Sequence, residues 1–380
     1  KNVVLEYTID DMTVIDTNYV ANHYLAPKMH GLGHAYDRFA VLDSAVKFKK
    51  SIFTPFEAMS LLSLVSQPEA EEATEAATAE PTATPELAPA TAEEWVERYM
   101  TTMSTEEKLG QLVMFGFSGT TEVQEPFRSI WNSYSVGNAI LYGSNVKSSN
   151  SDGGFGQTTK LTEKIAGTVN KEIPPLIGID VEGGSVVRFR WSPQPVSARS
   201  LGRRRDTDYA MQQFQTIGAK LIDVGINLDL APVLDVSENP MDTFLETRII
   251  SEDASITAAI GSAVIDGLHA GGCLSCAKHF PGHGGTNEDS HAVTPVVDKT
   301  LEELQSYDLV PFVSAISSGV DAIMISHVLY PALDSTDIAS MSKPIMTDLL
   351  RDQMGFEGLI ISDDFRMDGL EPHLAAGRSD

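Results

Sequence analysis

The run Leu274-Ser-Cys-Ala-Lys278-His279-Phe-Pro-Gly-His283-Gly-Gly-Thr-Asn-Glu-Asp289-Ser-His291 decides how this chain is read. It opens as a short apolar stretch and then, from Lys278 to His291, packs three histidines, two acids and three glycines into fourteen positions. A buried strand that delivers a mobile, chemically equipped loop has this composition. The reading stands or falls on whether other strands of the chain end in the same way.

Working outward, apolar runs recur at 112–117, 137–142, 175–180, 226–234, 321–327 and 358–362, each nearly continuous and bounded by polar residues. Between them, 206–224, 256–270 and 300–318 carry the spacing of amphipathic helices. Strands buried on both faces and alternating with helices predict a parallel α/β sheet. At this length, and with no glycine-rich dinucleotide fingerprint after the first run, a TIM-type (β/α)8 barrel is favoured over an open doubly wound sheet. Only seven runs are present, and residues 371–380 add no eighth. The expectation is a barrel truncated after its seventh strand, with two open edges and a sequence incomplete at its C-terminus.

Composition divides the rest. Residues 68–94 consist of Ala, Glu, Thr and Pro apart from Leu87, a mixture that cannot bury enough apolar surface to offset its ordering entropy. The predicted organisation is an N-terminal segment of unassigned function (1–65), a disordered linker (66–93) and the barrel (94–380). A tether of this composition suits an exported or surface-attached enzyme, with a cytoplasmic one as the alternative. A helical pattern starts near Ala92, and Ser104 with Glu107 three residues on reads as a capping box opening a second helix.

The formal charge of −26 and a pI near 4.6 argue against a phosphate backbone as partner, so nucleic acid is excluded. No run of eighteen apolar residues occurs, which predicts no transmembrane helix. Cys273 and Cys276 stand alone, without a second ligand pair at metal spacing, and read as small buried residues of a strand approach. The His30-Gly-Leu-Gly-His34 cluster reads as loop histidines rather than a metal site, for want of a carboxylate at ligand spacing.

In barrels the chemistry collects at the carboxyl ends of the strands. Here the third run ends in Asp180-Val181-Glu182-Gly183-Gly184 with Arg188 close behind, and the fourth near Asp235, with Arg248 in the loop that follows. The fifth ends in Lys278-His279, the sixth in Ser326-His327 and the seventh in Ser362-Asp363-Asp364. Such a rim suits glycosyl transfer, which needs one group to protonate the leaving oxygen and a carboxylate to trap the oxocarbenium-like centre. His291 is the candidate acid, oriented by Asp289 two residues before it, and Asp363 the candidate nucleophile at a strand end. Glycines 282, 284 and 285 leave the loop free to bring His291 over bound substrate.

Lys278 to His291 matches, residue for residue, the signature Lys-His-(Phe/Ile)-Pro-Gly-His-Gly-(four residues)-Asp-(Ser/Thr)-His, and so resembles the β-N-acetylglucosaminidase branch of glycoside hydrolase family 3, of peptidoglycan-recycling type. Ser104 to Leu112, Ile179 to Gly184, Asn227 to Val236 and Ile361 to Asp364 with Met367 are similar to other segments of that family. The resemblance covers residues 94–370. It implies a covalent glycosyl-enzyme on Asp363, acid/base catalysis by His291 paired with Asp289, and sugar contacts from Asp180, Arg188, Arg248, Lys278 and His279. It also implies a terminal N-acetylglucosamine glycan as substrate, with no metal and no organic cofactor. A β-glucosidase, β-xylosidase or glycoside phosphorylase on the same fold, and a non-catalytic glycan-binding surface protein, are the alternatives.

Overall fold

The computed structural model describes residues 92–370 and residue 373, apart from residues 126, 148–151 and 169–172. The expectations for residues 1–65 and for the linker up to residue 91 lie outside the described residues. Order begins with α1 (Ala92–Thr102), which seats Trp95, Val96 and Tyr99 against Ile173. It is followed by α2 (Thr105–Gln111). The capping box at the start of α2 is formed: the Ser104 hydroxyl accepts from Glu107 N at 3.2 Å, and the Glu107 carboxylate accepts from Ser104 N at 2.8 Å. Two of the helix's otherwise orphaned N–H groups are thereby satisfied.

In chain order the first strands are β1 (Met114–Gly116), β2 (Asn138–Leu141), β3 (Ile177–Ile179), β4 (Val181–Gly183) and β5 (Val186–Val187). They are followed by β6 (Leu228–Asp229), β7 (Leu274–Phe280), β8 (Ala322–Ile325) and β9 (Leu359–Ser362). Seven of them form one sheet in the order β1-β2-β3-β6-β7-β8-β9, every pair parallel, and β4 and β5 make a separate antiparallel hairpin. Each of the seven apolar runs thus supplies one strand. The sheet curls into a TIM-type barrel that lacks, among the described residues, an eighth strand between β9 and β1.

Helices cover the outer face. The segments expected to be helical are Thr207–Asp223, Ala254–Ala270 and a run from Leu301 to Ser317 that passes through a π-helical turn at Leu304–Asp308. All seven residues of β7 are buried, as a strand sandwiched between barrel interior and helices must be. Its last residue, Phe280, meets Phe312 edge-on at 5.2 Å and so anchors the strand end to the helix outside it. Cys273 and Cys276 are buried free thiols, as read from the sequence. No described helix is long and apolar enough to cross a membrane.

At the floor of the barrel, opposite the loops, His269 Nε2 lies 2.6 Å from Asp321, whose carboxylate also accepts from the Ser275 N–H and hydroxyl. Burial alone would push this imidazole down, but the Asp321 charge outweighs it and holds the pKa above the ordinary histidine value. A group with a raised folded-state pKa adds stability that is complete below its unfolded value and is lost as pH rises through the folded one. The urea midpoint of the wild type is therefore expected to fall more between pH 6 and pH 9 than that of His269→Gln. Parallel pH dependence in the two proteins would contradict this.

Candidate active site

The carboxyl ends of β3, β6, β7, β8 and β9 face one rim, and the predicted residues gather there. Lys278 is the hub: Nζ lies 2.7 Å from Asp180 and 2.7 Å from Glu182, with the lysine side chain 3% exposed. Strict alternation would send Lys278 and His279 to opposite faces of β7. A register irregularity between Lys278 and Phe280 in the pairing with β8 breaks that alternation, and both side chains reach carboxylates. His279 Nδ1 donates to Asp235 at 2.7 Å, because an ionised carboxylate can only accept.

Arg248 makes a fork on Glu182, with bonds of 2.7 and 2.9 Å, and its Nη2 comes within 3.5 Å of His279 Nε2. Arg188 holds the other oxygen of Asp180 at 3.3 Å and is the more exposed of the two guanidinium groups. Burial opposes ionisation of Glu182, yet Lys278 and Arg248 reverse this and take its pKa down to about 2. Asp229, on β6, is compensated less: the Val181 N–H, from which it accepts at 2.9 Å, and Lys278 both favour its charged form. Burial pushes its carboxyl well above the usual range.

Asp363 follows β9 directly, with its own N–H bonded to Ile325 O at 3.0 Å and its Oδ1 accepting from Asp364 N at 2.8 Å. The side chain is half-buried. Burial raises its pKa, but the fields of His279 and His327, the Asp364 N–H and Lys278 together leave it below the ordinary carboxylate value. It is therefore ionised at neutral pH. His327, fully buried, is oriented by Ser340 at 2.7 Å and by the carbonyl of Asp364 at 3.2 Å.

A second cluster braces this strand end. The Tyr142 hydroxyl, one residue past β2, donates to Asp364 at 2.8 Å, and Arg366 bonds both Asp364 oxygens, at 3.0 and 2.6 Å, and the Tyr142 oxygen at 2.7 Å. Burial raises the Asp364 pKa, but the Arg366 bonds prevail and take it to about 2. The clasp joins the ends of β2 and β9 across the side of the barrel where no described strand closes the sheet.

Asp289 and His291 pair with each other, Nδ1 to Oδ1 at 2.7 Å, with His291 N also bonded to Asp289 at 2.9 Å. Burial pushes the Asp289 carboxyl up, but the bonds from His291 outweigh it and keep it ionised. Imidazole Nδ1 is consequently the donor, and Nε2 is left to carry a proton outward. This pair is not brought into the cluster: the side chains of His291 and Asp289 are 64% and 42% exposed, and neither bonds another site residue among those described. The loop before it is fixed by Asp235, which accepts from His279 N at 3.3 Å and His283 N at 2.7 Å. Gly284 lies so close to Val236 O that a Cβ would come within 2.0 Å of it, so only glycine fits there.

Six predicted residues, Asp180, Arg188, Arg248, Lys278, His279 and Asp363, thus meet at one rim, and two stand off on the loop. Glu182, Asp235, His327 and Asp364 were visible at strand ends but not assigned roles, although the first two hold Lys278, Arg248 and His279 in place. Tyr142 was not singled out. Its only sequence signal is its position one residue past a strand end.

The fold and this rim define an incomplete parallel (β/α) barrel with a carboxylate-rich site on its C-terminal face. A family model described as "Glycosyl hydrolase family 3 N terminal domain" matches residues 104–378, and the chain belongs to that family. It is similar to the beta-hexosaminidase of Tolumonas auensis, 36% identical over 252 residues that make up 65% of this chain and 72% of the relative. It is also similar to Beta-hexosaminidase A of Pseudoalteromonas piscicida, 31% identical over 303 residues, 70% of this chain and 50% of that protein. Among solved structures, a family 3 beta-N-acetylglucosaminidase from Paenibacillus sp. str. FPU-7 superposes with a TM-score of 0.67 at 33% identity, over 71% of this chain and 51% of that one. The chain therefore spans about half the length of two of these relatives.

Proposed function

We propose that the chain is a retaining exo-β-N-acetylglucosaminidase that removes terminal β-linked N-acetylglucosamine from cell-wall or related glycans. The observation that carries this reading is the half-buried, ionised carboxylate of Asp363 at the end of β9, on the same rim as a cluster of sugar-binding character. The names of the relatives support the choice of sugar.

In the first step Asp363 Oδ attacks the anomeric carbon while the glycosidic C–O bond breaks. The leaving oxygen takes the Nε2 proton of His291, and a glycosyl ester forms on Asp363. In the second step a water gives its proton to His291 Nε2 and attacks the same carbon, and the ester bond breaks to return the carboxylate. Asp180, Arg188, Arg248, Lys278 and His279 bind hydroxyls of the sugar. Two of them, Lys278 and Arg248, are already held by Glu182, so they need little reorganisation on binding. The dyad reaches the leaving oxygen by movement of the glycine-rich loop.

A histidine acid/base repels phosphate less than a carboxylate would, which keeps a phosphorolytic second step as the competing reading. Comparing 4-nitrophenyl β-N-acetylglucosaminide with the β-glucoside, each with and without phosphate, is expected to show turnover of the first, little of the second, and free N-acetylglucosamine as product in both buffers. N-acetylglucosamine 1-phosphate as the main product would replace hydrolase by phosphorylase. Glycan binding with no turnover of either substrate would overturn the catalytic reading.

A further inference from the structure

His283 has no part in the chemistry described above, yet it is 1% exposed and lies between the fixed and free halves of the catalytic loop. Its backbone N–H is held by Asp235 at 2.7 Å, and Phe244 meets its ring edge-on at 4.7 Å. From Gly285 to Thr294 the loop has one buried side chain, that of Ser290, 2% exposed, next in sequence to His291. The Ser290 hydroxyl lies 3.0 Å from His283 Nε2. Ser290 O also accepts from Gly369 N at 3.2 Å, and the Thr294 hydroxyl donates to Gly369 O. A Cβ at Gly369 would come within 2.3 Å of Val293 O and 2.5 Å of Ser290 O, so this docking needs glycine.

We propose that His283 is a positioning residue for the acid/base arm. Through Ser290 it ties the turn that bears Asp289 and His291 to the rigid floor of the site at Asp235. The proposal rests on the reading of His291 as acid/base. Of the two anchors on Ser290, the one to Gly369 joins the arm to the segment just beyond Asp363, and the one to His283 joins it to β7. Together they fix the pivot about which the exposed dyad turns.

Burial pushes the His283 imidazole down to about 4, so the ring is neutral at neutral pH. Nδ1 is buried and has no partner among the described residues. The tautomer with the proton on Nε2 leaves a bare lone pair there rather than an orphaned N–H, and makes Nε2 the donor to Ser290.

Leaving-group dependence separates positioning of a general acid from plain support of the fold. A 2,4-dinitrophenyl aglycone departs without protonation, whereas a phenyl aglycone needs the acid. In Ser290→Ala, kcat/KM for the phenyl substrate is expected to fall about 10- to 100-fold, part of what a general acid contributes, against a loss of about threefold or less for the dinitrophenyl substrate. Ser290→Thr, which keeps the hydroxyl, restores most of the phenyl activity, and His283→Asn shows the same split as Ser290→Ala. His291→Ala, run beside them on the full chain, gives a larger split of the same kind. If His291→Ala shows the split and Ser290→Ala loses both substrates equally, or neither, the tether is overturned. If His291→Ala shows no split, the acid/base reading itself fails.

Discussion

Replacing Asp363 with alanine is expected to lower kcat on 4-nitrophenyl β-N-acetylglucosaminide by about 10⁴-fold or more, the scale on which removal of a catalytic nucleophile acts. The fold should survive, because the side chain is half-buried and its carboxylate bonds the next residue's N–H. What disappears is an ionised carboxylate whose charge is sustained by His279, His327 and Lys278 against burial. The variant should bind substrate and melt close to the wild-type temperature while failing to turn over. A variant that retains more than about a tenth of wild-type turnover would remove Asp363 from the mechanism. Azide, which needs no base to attack, separates the two steps: it should restore turnover to variants of His291, and to Asp363→Ala only with inversion at the anomeric carbon.

Lys278→Met is expected to cost about 3–5 kcal/mol of folding stability, because it leaves two buried carboxylates without the cation they share. Asp180 and Glu182 both sit 2.7 Å from Nζ, and the lysine is 3% exposed. Arg248 still pairs with Glu182 in the variant, and Arg188 with Asp180, so the loss is that of the shared charge rather than of every partner. The pH dependence gives the diagnostic. In the wild type, Glu182 with its pKa near 2 adds stability that is present above its unfolded value and lost as pH falls through the folded one. Without Lys278 that pKa rises, so the deficit of the variant in urea unfolding should be greatest near neutral pH and shrink below about pH 4. A pH-independent deficit would show that packing of the lysine stem, and not its charge, is what the site requires. Adding Glu182→Gln to Lys278→Met should recover part of the loss.

The fold was legible because parallel strands buried on both faces have to be nearly continuous in apolar residues, and all seven announced themselves in that way. Strand lengths were less so: the run 226–234 is in regular pairing only at Leu228–Asp229, since Pro232 cannot donate to a ladder. The β4–β5 hairpin went unread. Its sequence, Val181 to Val187, carries the glycines and glutamate of a strand-end motif, and they look like loop. The helix Phe155–Thr168 also escaped, having threonines, Thr158 and Thr162, at two of its four buried positions, where a strong amphipathic pattern would have apolar residues.

The site was legible to the extent that its residues lie at strand ends. Lys278, His279, Asp180 and Asp363 follow apolar runs directly, and Arg188 and Arg248 lie in the loops beyond. Partnerships between distant residues were not legible. Tyr142 and Asp364 are 222 positions apart, and Arg248 and Glu182 are 66 apart, so only the folded chain reveals that they meet. Nor does the local pattern tell the burial of the two loop histidines: His283 is buried and His291 mostly exposed.

The most direct measurement of the central claim is mass spectrometry of the full chain after incubation with a fluorinated N-acetylglucosaminyl donor that forms the glycosyl-enzyme quickly and hydrolyses slowly. One sugar added per chain, mapped by peptide fragmentation to Asp363, is the predicted result. Turnover with the sugar attached to any other carboxylate, or with no ester at all, would contradict it.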